Sequence, residues 1–293
     1  MPLLLRGSVE LGLIYGLTAL GVLITYRILN LPDLTVDGSF VTGMACAAVI
    51  AQRGHPFMSL AAAAAFGAAA GCITGFLHTK MGIQPILSGI LTMTGLYTVN
   101  LYIMGGKSNI SFYGQANIFS AASKLGISKL IAICIIAALS IAFCCVFFKT
   151  RAGLAIRAVG DNEEMAKASS INSDGSKILA FAISNALTAI SGAVLAHYQS
   201  SVDVGYGNGM VVIALASVVI GESFPVSKGI SISFAFAAIG SVFYRIIIAY
   251  ALKLEVLPTY GVKLASAVIV AIAISLPRLR AMLPRGESRH SDA

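Results

Sequence analysis

The chain has 293 residues, of which 57% are hydrophobic and only 11% charged; it carries a formal net charge of +8 and a mean hydropathy of +0.88. Soluble domains carry about 25% charged residues, so there is too little charge here to build a water-facing surface. A soluble enzyme, a nucleic-acid-binding domain and a disordered protein are excluded as wholes, and the chain reads as a polytopic integral membrane protein.

Spanning a bilayer takes about 20 apolar residues per helix. In chain order the candidates are Leu11–Tyr26, Ser39–Ala51, Phe57–Leu77, Ile83–Met104, Leu130–Phe148, Ile178–Ala196, Val204–Gly221, Gly229–Tyr250 and Gly261–Leu276. Arg6 ahead of the first run imitates a signal peptide, but no small-residue cleavage site follows, so the run is expected to be a first transmembrane helix. Ser39–Ala51 is too short to cross comfortably alone. The fold expected is all-α: a bundle of about nine membrane segments, one broken or re-entrant, forming a single domain over 1–293 with a basic cytoplasmic tail at 277–293. Gly12 with Gly16, and Gly67 with Gly71 and Gly75, recur every fourth residue and provide grooves for close helix packing.

The 20 Lys and Arg report topology. Five lie in Lys149–Lys177 (Lys149, Arg151, Arg157, Lys167, Lys177) and four in the tail (Arg278, Arg280, Arg285, Arg289), as the positive-inside rule expects of cytoplasmic segments. Four candidate spans separate these two clusters, which allows both on one side. Five spans precede the loop, which puts the N-terminus and Gly105–Lys129 outside. If Ser39–Ala51 does not cross, the N-terminus flips.

Chemistry-bearing motifs are sparse. Cys46, Cys72, Cys134, Cys144 and Cys145 all fall in apolar stretches without a Cys-x-x-Cys pair and read as core packing; with four scattered His no metal spacing appears. Gly106-Lys107-Ser108 imitates the end of a phosphate-binding loop, but the required earlier Gly is Leu101. No cofactor and no catalytic group is expected.

Two segments stand out. Arg157-Ala158-Val159-Gly160-Asp161-Asn162-Glu163-Glu164-Met165-Ala166 mixes both charge signs between apolar helices. Asp161 with Glu164 three residues on resembles a capping box, opening a short helix that runs to about Ile171. It reads either as a solvated loop or as a surface helix that docks a partner. Asn30-Leu31-Pro32-Asp33-Leu34-Thr35-Val36-Asp37-Gly38 packs two carboxylates, a Pro and a Gly between apolar runs. Pro32 removes a backbone donor and disfavours helix at Leu31. Carboxylates at the membrane are costly and usually face a cavity or partner, so the segment is either a plain turn or a helix break beside a path. Asn30, Asp33, Thr35, Asp37 and Asn100 are the candidate path residues. For Asn100, as for Asn185 and Gln84, interhelical hydrogen bonding is the competing role. Arg245 reads as snorkelling, and His197 and Tyr206 as interfacial anchors or contacts for an external protein.

The run Arg-Ala-x-Gly-x-Asn-x-x-x-Ala followed by Ile171-Asn172 resembles the cytoplasmic coupling segment of permeases in the branched-chain amino acid and ribose class of ABC importers. Leu11–Gly21 is similar to that family's first helix, and Val211–Gly221 with Gly229–Gly240 to its Gly-rich late pair. Ser170 stands where the family usually has Gly. The Asn30–Gly38 stretch is closer to the subgroup associated with lipoprotein binding proteins for tryptophan or tyrosine. The resemblance implies a permease subunit in a bacterial cell membrane that catalyses nothing itself. It implies a separate ATP-binding ATPase, a substrate-binding (lipo)protein and a second permease copy as partners, besides the lipid bilayer. It places Arg157, Ala158, Gly160, Asn162, Glu163, Glu164, Ala166, Ser170 and Ile171 at the ATPase contact. The solute implied is small and polar, an amino acid, with the tryptophan or tyrosine subgroup pointing to an aromatic one. The rival is a self-sufficient secondary carrier, which needs inverted repeats and a buried protonatable group; only Asp33, Asp37 and Glu222 qualify for the latter.

Overall fold

A computed structural model describes residues 2–115, 117–224 and 229–253, with isolated positions 264, 267, 268 and 271 beyond them. Helix α1 (Pro2–Val22) runs on into a π-helical turn, Leu23–Ile28. Then come α2 (Thr35–Gln52), α3 (Pro56–Thr79), α4 (Pro85–Ile103), β1 (Asn109–Ser111), α5 (Ile118–Lys124) and α6 (Lys129–Phe147). The second half holds α7 (Arg151–Asp161), α8 (Glu163–Ala168), α9 (Ser173–Gln199), β2 (Ser201–Asp203), a 3-10 turn at Val204–Gly207, α10 (Met210–Glu222) and α11 (Ile230–Lys253). Seven spans among the described residues are long and apolar enough to cross a membrane. The ninth expected segment and the basic tail lie outside the described residues, apart from the isolated positions above.

The second expected segment is α2, and it occupies the middle of the bundle. Fourteen of its 18 residues are buried, so neighbouring helices, not lipid, satisfy it. At 1.5 Å per residue it is about 27 Å long. Its fellow centre-piece is α9, whose face is closed by glycine contacts. A Cβ at Gly67 or Gly71 of α3 would overlap the carbonyl oxygen of Asn185 or Phe181, and one at Gly75 would lie 2.7 Å from the Ile178 Cα. The groove expected at these glycines therefore holds α9. Gly12 and Gly16 do the same for α11, against Val242 and Ala238. Without a hydrophobic drive between helices in lipid, such close backbone approach supplies the packing.

Buried polar pairs pin the register. The Ser39 hydroxyl donates to Asn185 Oδ1 at 2.7 Å, the Thr42 hydroxyl donates to Asn100 Oδ1 at 2.8 Å, and Thr35 and Thr74 share a 2.7 Å bond. Gln84 is no interior residue; it sits exposed at the N-cap position of α4, ahead of Pro85. The cysteine reading also divides: Cys46 and Cys144 are buried, but Cys72 and Cys134 are exposed on the outer faces of α3 and α6.

The long polar loop and the charged loop stand at opposite ends of the bundle, as the charge-and-parity reading requires. At one end β1 pairs with β2 antiparallel, Asn109 opposite Asp203, and Asn117 Nδ2 donates to the His197 carbonyl. At the other, Lys80 pairs with Asp174 at the start of α9, at 2.6 Å. His197 is not an external anchor: it is buried, bonded through Nε2 to the Ser59 hydroxyl at 2.8 Å and edge-on to Phe112.

Candidate coupling and translocation sites

The charged loop is built from three helix starts that share one device. Thr150, Asn162 and Asn172 each accept a backbone N–H three residues on, from Gly153, Met165 and Gly175, and so begin α7, α8 and α9. Such caps satisfy one of the four orphan donors at a helix start. The start expected at Asp161 therefore falls one residue later: Asp161 ends α7, and Asn162, extended at φ −158, closes one helix and opens the next. The reason is that Asn162 Oδ1 reaches the Met165 N–H at 3.0 Å.

The short helix also ends earlier than Ile171. The Ile171 N–H bonds to the Ala166 carbonyl and the Ser170 N–H to the Lys167 carbonyl, both at 3.0 Å. With Ser170 left-handed at φ 60, this is a Schellman C-cap. A left-handed position favours glycine, and Ser170 holds it with a Cβ.

Glu163 holds α8 to α9. Its Oε2 accepts from Lys177 Nζ at 2.7 Å, and its Oε1 accepts from the Ser173 hydroxyl at 2.8 Å and pairs with Lys167 at 2.9 Å. These donors, Lys177 foremost, lower the Glu163 carboxyl to about 2. Ala166 and Val159 face inward and are buried, whereas Arg157, Glu164 and Lys167 are exposed, together with Leu154 at 50% and Met165 at 68%. Ala166 thus seats the helix and does not face outward. Leu154 escaped the sequence reading as an outward apolar residue, because its neighbours in the same helix turn inward.

The two segments picked out in the sequence meet. Asn30, left-handed at φ 56, donates from Nδ2 to the Gly160 carbonyl at 3.0 Å. A Cβ at Gly160 would overlap the Ile28 carbonyl oxygen, so glycine there lets α7 lie against the end of the π-helical turn.

Beyond Asn30 the chain is non-helical through Leu34, and α2 begins at Thr35. The two carboxylates of this connection do different things. Asp33 is buried; its Oδ1 accepts from the Thr35 N–H at 2.9 Å and its Oδ2 from Asn185 Nδ2 at 2.7 Å. Asp37 is half-buried, and its two oxygens accept from the Gly209 and Val211 N–H groups, each at 2.9 Å. It therefore caps α10 from another helix, where the helix dipole favours negative charge. Asn100 and Thr35 are buried: Asn100 Nδ2 donates to the Gly38 carbonyl at 3.2 Å, tying α4 to α2. Of the five path candidates, Asn30 and Asp37 retain access to solvent.

A second interruption lies inside the run read as one span, which stays long and apolar enough to cross as Val204–Glu222. From β2 the chain passes through Val204–Gly207 to Gly209, at φ 90, before α10 starts beside Asp37. At 13 residues α10 is about 20 Å long, short of a bilayer core of about 30 Å. The signal was present in Gly205-Tyr206-Gly207-Asn208-Gly209: a Cβ at Gly207 would overlap the Asp37 carbonyl oxygen. At the far end of α10, Glu222 pairs with Arg27 at 2.7 Å. At the strand end of the bundle, a cavity of about 710 Å³ is lined by residues including Arg6, Asn117, Lys124 and Lys129.

These features agree with the comparisons. A family described as the permease component of branched-chain amino acid transport systems matches residues 5–274. The chain is 36% identical over 287 residues to the tyrosine transport system permease protein of Clostridioides difficile (strain R20291), covering 94% of this chain and 92% of that one. It is 28% identical over 257 residues to the fructose import permease protein of Bifidobacterium longum (strain NCC 2705), covering 84% and 70%. It is likewise 28% identical over 194 residues to the ribose import permease protein of Escherichia coli (strain K12), covering 64% and 60%. No solved structure matches. A chain with seven span-capable helices among its described residues, matched over nearly its whole length by transport permeases, belongs to the branched-chain amino acid transport system permease family and is a multi-pass membrane protein.

Proposed function

We propose that the chain is the membrane-spanning subunit of an ATP-driven importer in a bacterial cell membrane, carrying a small polar solute that is an amino acid, aromatic ones foremost. Its partners are an ATP-binding ATPase, a substrate-binding (lipo)protein and a second permease copy. The observation that carries this reading is the contact of Asn30 with Gly160, which links the exposed α7–α8 elbow to the break before α2. A push on the elbow is thereby delivered where the path is interrupted. Discontinuous helices border solute sites in several transporter folds, and backbone freed at depth is tolerated only against protein or a water-filled cavity. Leu154, Arg157, Glu164 and Met165 form the outward docking face. The tyrosine transport relative supports an aromatic amino acid as solute. The cationic cavity at the strand end suits acidic residues of a binding protein.

The test is reconstitution with a partner ATPase and binding protein sought in the chain's gene neighbourhood. Leu154→Asp with Met165→Asp is expected to leave the permease in the membrane while abolishing ATPase copurification or solute-stimulated hydrolysis. Unaltered copurification and stimulation in that variant would sink the docking face, and absence of amino-acid uptake by the wild type would sink the solute class.

A further inference from the structure

Arg245 lies inside the 22-residue span Ile230–Ala251 and is only partly exposed. An intramembrane cation is costly and calls for a partner. Its guanidinium carbon lies 4.4 Å from the centre of the Tyr15 ring on α1, and none of the ion pairs among the described residues gives it a carboxylate. Snorkelling, expected from the sequence, draws a charged head toward the bilayer surface; in the fold the head is stacked across the α1–α11 contact. Tyr15 is buried, and its hydroxyl is within electrostatic range of Tyr206 as well. Tyr206 belongs to the interrupted stretch before α10 and is 41% exposed. Glycines flank it on both sides.

We infer that Arg245, Tyr15 and Tyr206 form a transient solute subsite in which Arg245 takes the carboxylate of the passing amino acid and Tyr206 offers its ring to the side chain. This inference rests on the amino-acid reading above and assigns it residues. The guanidinium fork matches a carboxylate in two parallel hydrogen bonds. Stacking on Tyr15 holds the guanidinium over the ring, and its N–H edge is the part that meets the ligand. Tyr206 supplies an offset or edge-on aromatic partner. The solute thus brings Arg245 a carboxylate at ion-pair distance, which none of the described residues provides. Because the tyrosine hydroxyls and one cation are all it offers, the subsite binds weakly enough for release.

The experiment uses the full chain in its complete transporter. In uptake of radiolabelled L-tyrosine and L-tryptophan, Arg245→Gln is expected to lose at least tenfold, and Arg245→Lys, which keeps charge without the fork, to fall between it and the wild type. In a second arm, Tyr206→Cys in a background lacking the five native cysteines is treated with anionic and cationic methanethiosulfonate reagents. The anionic reagent is expected to react faster by about tenfold, saturating L-tyrosine to slow it, and added Arg245→Gln to erase the preference. An unreactive position 206, or a charge preference indifferent to Arg245→Gln, means that Arg245 faces lipid or interior and overturns the subsite. Wild-type uptake matched by Arg245→Gln overturns this inference alone. A wild type that carries no amino acid removes the functional reading and the inference together.

Discussion

Asn30 and Gly160, separated by 130 positions in the chain, are joined by a 3.0 Å hydrogen bond from the Asn30 side-chain amide to the Gly160 carbonyl. The bond spans from the end of the first helix to the charged elbow, and both residues are specialised for it. Asn30 is held left-handed, a conformation in which Asn is enriched among residues with a Cβ, and Gly160 has no room for a Cβ. Gly160→Ala is therefore expected to push α7 off Ile28, costing about 1–3 kcal/mol as an overpacking strain and uncoupling hydrolysis from uptake. Asn30→Ala removes one exposed hydrogen bond, worth about 0.5–1.5 kcal/mol, and should lower uptake more mildly. Ratios of uptake to ATP hydrolysed in proteoliposomes check both; equal ratios in all three proteins would show that the contact transmits nothing.

Ser170→Gly should stabilise the end of α8. The left-handed conformation costs a residue with a Cβ about 1–2 kcal/mol, partly offset by the greater chain entropy that Gly loses. The net expected gain is about 0.5–1 kcal/mol, and Ser170→Val should shift stability the other way. Hydrogen exchange at the Ser170 and Ile171 amides reads the change directly. Slower exchange in the Val variant would contradict the cap.

Glu163 sets an acid limit on the docking of α8. Its folded pKa of about 2 lies below the ordinary value of 4.5, so its contribution is fully present above 4.5 and is lost as pH falls from there through 2. The side chain is 36% exposed, so solvent screening keeps the effect small. Amide hydrogen exchange in α8, taken as protection relative to the unfolded chain at each pH, should be equal at pH 7 and pH 5 and weaker at pH 3. Glu163→Gln should abolish that pH difference, and protection insensitive to pH in the parent protein would remove Glu163 as the fastener.

Asp37→Asn should weaken the start of α10 while sparing insertion in the membrane. One carboxylate oxygen becomes an NH2 group facing a backbone N–H, so one of two charge-assisted bonds is lost and the other weakened, at a cost of about 1–3 kcal/mol. Uptake is expected to fall several-fold with the ATPase still copurifying. Asp33→Asn should instead lower thermal stability, because Asp33 is buried between Thr35 and Asn185. Wild-type uptake in the double variant would reduce the break to an ordinary loop.

Single cysteines in a background lacking the native five test which end of the bundle faces out. An impermeant thiol reagent on intact cells should label Gln115→Cys and spare Lys167→Cys, because the two loops stand at opposite ends and Lys and Arg concentrate beside the second. The inverse pattern reverses the protein in the membrane.

Sequence alone determined the membrane class, the position of most spans, the glycine grooves and the two polar interruptions worth attention, because these follow from local composition and spacing. Gly67, Gly71 and Gly75 announce a close neighbour through their period, and Asn30–Gly38 announces a break through Pro32 and its carboxylates. What they meet is a property of the tertiary structure. No local pattern pairs Asn30 with Gly160, or sends Asp37 to the start of α10, since these partners lie 130 and 174 residues away. Nor does spacing tell that Ala166 turns inward while Leu154 and Met165 turn out; that is decided by which face of a short helix α9 covers. The interruption at Gly205–Gly209 was hidden for a related reason. Its residues are uncharged and so read as span; the approach of the Asp37 backbone shows why position 207 carries no side chain, and Gly209 at φ 90 why the chain does not run on as one helix.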